Sequence, residues 1–161
     1  MSREKIVSPQ DIESLCRKWR EPNGVIVFTN GVFDLLHPGH VAYLTQAQGL
    51  GTHLVVALNT DSSTQRIKGN HRPLVPLAER LEVLAALRMV NAVTWFDEET
   101  PAEIIRIVRP DVLVKGGDWK PEEIVGKDFV ESYGGKVLSI PFVSGYSTTN
   151  IVEKILKLHD F

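Results

Sequence analysis

The sequence predicts an α/β protein: an open, parallel, five-stranded sheet with helices on both faces. Three observations carry this. Five short runs rich in Val, Ile and aromatic residues recur along the chain. Several are apolar at consecutive positions, as expected of strands covered on both sides. Helical patterns alternate with them, which favours parallel strands joined by right-handed crossovers. The layout is Rossmann-like.

The elements follow in order. Ser8-Pro9-Gln10-Asp11 reads as a helix start, with Ser at the N-cap, Pro at N1 and an acid at N3. That helix reaches about Arg20, and Glu21–Gly24 (EPNG) breaks it. Val25–Phe28 is the first strand and His53–Asn59 the second. Ala92–Phe96, Asp111–Gly116 and Lys136–Phe142 are the other three. Between the first two, His40–Gly49 carries Val41, Leu44 and Ala47 on one face, and Gly49 or Gly51 can end it. Pro76–Met89 places Leu77, Leu81, Leu84 and Ala85 near the helical period. Thr100-Pro101-Ala102-Glu103 reads as a capping box opening a helix that Pro110 stops. Lys127–Tyr133 is a short helix ended by Gly134-Gly135, and Ile151, Val152, Ile155 and Leu156 stripe the last one.

A chain of 161 residues suits one domain, residues 1–161, with 1–20 as an N-terminal helical extension. A net charge of -2 provides no broad field for nucleic acid or a membrane surface. Cys16 is the only cysteine, which fits a reducing compartment, and no apolar run approaches the roughly 18 residues of a membrane span. No signal-peptide pattern opens the chain, so the expected setting is cytoplasmic.

In an open parallel sheet, ligands bind at the carboxyl ends of the strands. Those ends read TNGVFD, NTDSS, FDEET, KGGDW and VSGYSTT, a rim rich in Gly, Asn, Asp, Ser and Thr. The first is the most informative. Gly31 lets backbone come close to a ligand. Pro38-Gly39 opens a helix, whose free N–H groups and dipole suit phosphate. His37 and His40, at i and i+3, can face one side of that terminus. They can equally be a cap and a surface residue, or metal ligands, although Asp34 is the one further candidate ligand nearby. Asp34 reads either as a local cap or as a group ordering the site. Ser63–Pro73 reads as a basic loop, solvated or phosphate-binding, holding Arg66, Lys68 and Arg72. Lys68 is the first choice for bridging phosphates and Arg72 the second, with Arg66 facing solvent. Asp61 can accept hydroxyl hydrogens. Arg80 either reaches inward or pairs with Glu79 or Glu82 at the surface. Asp118 and Trp119 offer a hydroxyl acceptor and a stacking face, unless Trp119 only covers the core. Ser147, Thr148 or Thr149 caps the last helix, and the same terminus can take an anion. No G-x-x-x-x-G-K-[ST] and no G-x-G-x-x-G after the first strand is present, which counts against a P-loop or an ordinary NAD domain.

GVFDLLHPGH resembles the signature of the HxGH nucleotidylyltransferases, the group containing glycerol-3-phosphate cytidylyltransferase and pantetheine-phosphate adenylyltransferase. ALNTDSSTQRIKGNHRPLVPLAERLEVLAAL, PDVLVKGGDWKPEEI and GYSTTNI extend the resemblance across about Gly24 to Leu156. They look most like the adenylyltransferase domain that makes ADP-heptose, a precursor for lipopolysaccharide core or related heptose glycans. The resemblance implies ATP and a sugar 1-phosphate as substrates, Mg²⁺ bridging the ATP phosphates and a homodimer. It implies catalytic roles for His37, His40 and Lys68. Thr29, Asn30, Gly31, Phe33 and Gly39 would line the nucleotide pocket, with Lys115, Gly116, Gly117, Ser147, Thr148 and Thr149. Asp61, Arg72, Arg80, Asp118 and Trp119 would meet the second substrate. Some members fuse this domain to a sugar kinase, and the length here suits the stand-alone type. Members often carry an Arg before the Ser-Thr-Thr block; Phe142 and Val143 stand there instead, so Lys68 or Lys115 must serve the phosphates.

Overall fold

The computed structural model describes residues 2–159. The apolar runs become β1 (Ile26–Gly31), β2 (His53–Asn59), β3 (Ala92–Phe96), β4 (Val112–Gly116) and β5 (Lys136–Ile140). All pair in parallel, in the order β3-β2-β1-β4-β5. The helices are α1 (Ile12–Trp19), α2 (Pro38–Gln48), α3 (Asp61–Lys68), α4 (Leu77–Ala85), α5 (Ala102–Val108), α6 (Lys127–Ser132) and α7 (Thr148–His159). This is the Rossmann-like α/β sheet that the alternation predicts.

The consecutive apolar positions are explained by two cores, one on each face. Val27, Leu54, Val56 and Leu58 pack with Tyr43 and Leu44 of α2 and Leu81 and Leu84 of α4. Ile26, Phe28, Val55 and Ala57 pack on the other face with Ile12 and Cys16 of α1 and Ile104 and Ile105 of α5. The period-two alternation of side chains thus feeds both cores. The N-terminal segment belongs to this packing. Ile12 and Cys16 are fully buried, Lys5 Nζ donates to the carbonyls of Leu87 and Val90, and Ile6 bridges to Val93.

Three local readings change. The stretch read as a basic loop from Ser63 begins inside α3, which Thr60 caps by accepting from the Ser63 N–H. Thr100 does not cap α5; Pro101 holds the N-cap position, without a side-chain hydrogen bond. Ser8 organises the turn before α1 by bonding Asp11, which is itself the N-cap of the helix.

The strand order reverses at β1, where β2 lies on one side and β4 on the other. Pairing of β1 with β4 covers Val27 with Val112 and Phe28 with Leu113. Pairing of β1 with β2 continues to Gly31, and β4 with β5 to Gly116. β1 and β4 therefore part at their carboxyl ends, which opens a crevice. The Tyr43 hydroxyl closes its floor, bonded to Thr29 Oγ1 and donating to the Val114 carbonyl. Burial pushes the Tyr43 phenol up to about 12. Tyr43→Phe is expected to leave the buried Thr29 hydroxyl and the Val114 carbonyl short of a partner. It should cost about 1–2 kcal/mol, measured by urea unfolding.

Candidate active site

A cleft of about 670 Å³ lies over this crevice and extends across β1 toward β2 and β3. His37 is the N-cap residue of α2 and Pro38 its first residue, which fixes the turn out of the crevice. The rings of His37 and His40 stack at 3.8 Å between centroids, 26° apart. Gly39 makes this possible, because a Cβ there would come within 2.9 Å of His37 Nδ1. Phe33 packs 5.2 Å from His40 and holds a left-handed φ of 50°, a strained conformation for an aromatic residue that recurs at functional sites. Both histidine Nδ1 atoms are buried without a hydrogen-bond partner. Nε2 is then the ring nitrogen left to meet a ligand.

The cations expected at this edge, Lys68, Arg72 and Lys115, line the cleft. Burial, the neighbouring His37 and Lys68 depress His40 to about 4, and burial also lowers His37. Both imidazoles are therefore neutral at pH 7 in the free protein. Burial and Lys68 lower Lys115 as well. Among the described residues Lys68 has no hydrogen bond or ion pair, and Lys115 sits 5.6 Å over the Trp119 ring. Lys68 and Lys115 repel one another until an anion arrives. A polyanion would raise the histidine pKa values, so between the free and bound values the complex holds more protons. Affinity should then strengthen as pH falls through that window. Calorimetry of tripolyphosphate binding near about pH 6, in two buffers of different ionisation enthalpy, is expected to show net proton uptake. The same depression means that the unfolded chain binds more protons between about 6.5 and about 4, so folding stability is lost as pH falls through that range.

Residues 72–77 are pinned over the cleft from below. Asp34 accepts from the Leu74 and Val75 N–H groups at 2.8 and 2.9 Å and from Arg72 at 2.9 Å. Burial alone would raise its carboxyl; these donors outweigh it and hold it below the usual range. Of its two readings, ordering the site is the one observed. Arg80 is 2% exposed and donates to the carbonyls of Val75, Val32 and Asn59 and to Asp61. Asp61 also accepts from the Leu77 N–H. Arg80 does reach inward, yet its donors are consumed as a strut; both bonds to Asp61 fall on Oδ1, and that side chain stays 43% exposed. Neither lines the cleft.

The remaining assigned residues divide similarly. Asn30, Gly31, Phe33, His40, Lys68, Arg72, Lys115, Gly116, Trp119, Thr148 and Thr149 line the cleft. The Thr29 side chain is fully buried and engaged by Tyr43. Gly117 sits behind the wall at φ +113°, which a side chain would strain. Asp118 is exposed outside the cleft. Ser147 caps α7 through the Asn150 N–H, while Thr148 donates to the Leu35 carbonyl. Trp119 is 45% exposed and donates through Nε1 to Gly116, so it is not a core cover. Arg66 is exposed, as expected, and from there it binds Asp97 and ties α3 to the loop after β3. That loop adds Glu99, Thr100 and Pro101 to the wall, together with Asn59 from β2. Its FDEET sequence marks it as a strand exit, but nothing in it singles out Glu99.

The family model described as cytidylyltransferase-like matches residues 28–154. The chain is 52% identical over 149 residues to the bifunctional protein HldE of Marinomonas sp., covering 92% of this chain and 31% of that protein. It is 57% identical over 134 residues to the bifunctional protein HldE of Geobacter metallireducens, covering 83% of this chain and 27% of the other. The chain thus spans 27–31% of the length of these relatives. Among solved structures, the lipopolysaccharide core biosynthesis protein of Thermoplasma volcanium superposes with a TM-score of 0.62 at 31% identity, covering 77% of this chain and 99% of that one. Pantoate-beta-alanine ligase of Francisella tularensis shares the fold, with a TM-score of 0.59 at 15% identity over 97% of this chain and 78% of its own. A crevice at the strand-order reversal, a histidine pair on the first helix beyond it and a match through nearly all the sheet lead to one conclusion: the chain belongs to the cytidylyltransferase-like family.

Proposed function

We propose that this chain is a nucleotidyltransferase that transfers AMP from ATP to heptose 1-phosphate, giving ADP-heptose and pyrophosphate. The observation that carries the transfer is the cluster of neutralisable groups over the β1/β4 crevice: His40 stacked on His37, with Lys68, Arg72 and Lys115 facing the same cleft. The identity to HldE proteins and to a lipopolysaccharide core biosynthesis protein supports the sugar acceptor.

In the proposed reaction an oxygen of the sugar phosphate attacks the α-phosphorus of ATP in line. A new P–O bond forms, the bond from the α-phosphorus to the bridging oxygen breaks, and pyrophosphate leaves with that electron pair. No covalent enzyme intermediate is required, since the acceptor is already a nucleophile. The protein contributes position and charge. The Nε2 atoms of His37 and His40 meet the phosphates at the start of α2, and Lys68 and Arg72 hold the two anions together. Lys115 and Trp119 flank the nucleotide. Among the described residues no group of three or more His, Cys, Asp or Glu is placed to hold a metal. In this proposal Mg²⁺ would enter with ATP as part of the substrate and would supply charge neutralisation at the phosphates.

A homodimer in the cytoplasm belongs to the same proposal. Phe142, Val143, Ile155 and Leu156 leave apolar surface exposed on and beside α7, and light scattering tests whether a second copy covers it. Among the described residues no helix is long and apolar enough to cross a membrane. Pyrophosphate release with ATP or CTP and a panel of sugar and alcohol phosphates tests the activity. Turnover with CTP and glycerol 3-phosphate alone would instead make the chain a cytidylyltransferase. Nucleotide binding without turnover on any acceptor would make it a binding module.

A further inference from the structure

Resting on the transfer reading above, we propose that Glu99 is the specificity-determining residue for the acceptor, taking hydrogen bonds from the sugar hydroxyls. The argument begins with which carboxylates in the cleft are free. Two line it, Asp34 and Glu99. Asp34 is consumed by Leu74, Val75 and Arg72. Glu99 has no hydrogen bond or ion pair among the described residues.

Its neighbours make that freedom informative. Asp97 accepts from the hydroxyls of Ser62 and Thr60 and from Arg66, which hold its carboxyl down at about 2. The Glu98 carbonyl accepts from Ser63 Oγ, which itself accepts from Asn59 Nδ2. Pro101, next but one along, is buried. The backbone on both sides of Glu99 is thus fastened to α3 and the sheet. The side chain is presented to the cleft from an anchored turn.

Glu99 is exposed, so in the free protein its carboxylate faces water at the cleft wall and is available to an incoming donor. It lies on the β3 side, across β1 from the crevice where Lys115 and Trp119 flank the nucleotide. That side is where the acceptor must extend once its phosphate meets Lys68 and Arg72. A polyol body supplies several O–H donors there, and a carboxylate accepts from two at once. The hydroxyl-accepting role expected of Asp61 and Asp118 from the sequence moves to Glu99, since neither Asp61 nor Asp118 lines the cleft.

The test is steady-state kinetics of pyrophosphate release by the wild type, Glu99→Gln and Glu99→Ala, using ATP with heptose 1-phosphate and its monodeoxy analogues. Glu99→Ala should raise the acceptor KM roughly 10–100-fold, with the ATP KM unchanged, and Glu99→Gln should fall between it and the wild type. One deoxy analogue should be discriminated against by the wild type and no longer by Glu99→Ala, the signature of a shared bond. Thermal midpoints of both variants should match the wild type, because Glu99 makes no internal bond to lose. An unchanged acceptor KM, a parallel rise in ATP KM or Mg²⁺ requirement, or tighter acceptor binding in Glu99→Ala would overturn this assignment alone. No turnover by the wild type with any sugar phosphate would overturn the proposed function, and this assignment with it.

Discussion

His40→Ala is expected to lower turnover by about 10²–10³ while leaving the fold intact. The ring lines the cleft, stacks on His37 and touches Phe33, so its removal takes away the donor that the proposed reaction places against the phosphates. Little stability should go with it. His40 Nδ1 is a buried atom without a partner, and deleting an unsatisfied polar atom offsets part of the lost packing. The measurement is kcat from pyrophosphate release beside a thermal midpoint. Turnover falling only in proportion to the folded fraction would make the histidine structural. The double variant His37→Ala/His40→Ala should lose less than the product of the single losses, because the stacked rings act on one ligand as a unit.

Arg80→Leu is expected to cost about 3–5 kcal/mol in urea unfolding, the largest stability effect of any single substitution proposed for this chain. The guanidinium is 2% exposed and satisfies the carbonyls of Val32, Asn59 and Val75 together with Asp61. Leucine fills part of the volume and none of those acceptors. The three carbonyls belong to the exits of β1 and β2 and to the segment carrying Arg72. Folded molecules that survive should therefore also show a raised KM for the acceptor. A variant as stable as the wild type would mean that water replaces the strut, and the inward pointing of Arg80 would carry no energetic weight.

Much of the architecture is legible because it rests on local chemistry. A run such as HLVVALN, apolar at successive positions, can be satisfied only between two helical layers, and β2 places Leu54 and Val55 in opposite cores. Helix α3 escapes such a reading for a physical reason. Its buried residues are Ser63 and Thr64, so no apolar stripe marks it, and the available signal is Thr60 ahead of Asp61 as an N-cap. The cap expected at Thr100 fails in the opposite sense: the spacing is right, but Pro101 takes the cap position.

The sequence by itself determined the order of the five strands and of the helices other than α3, the edge that carries the cleft and the histidine pair at the start of α2, because periodicity and i, i+3 spacing are properties of neighbouring residues. Only the tertiary structure decided which polar groups remain available at that edge. Thr29, Asp61 and Arg80 looked like ligand contacts and are bound by residues 14 to 48 positions away in the chain. Glu99 carried no mark and is left free. A side chain's availability depends on which partners the folded chain brings to it, and crossovers between parallel strands set that over distances that no local pattern records.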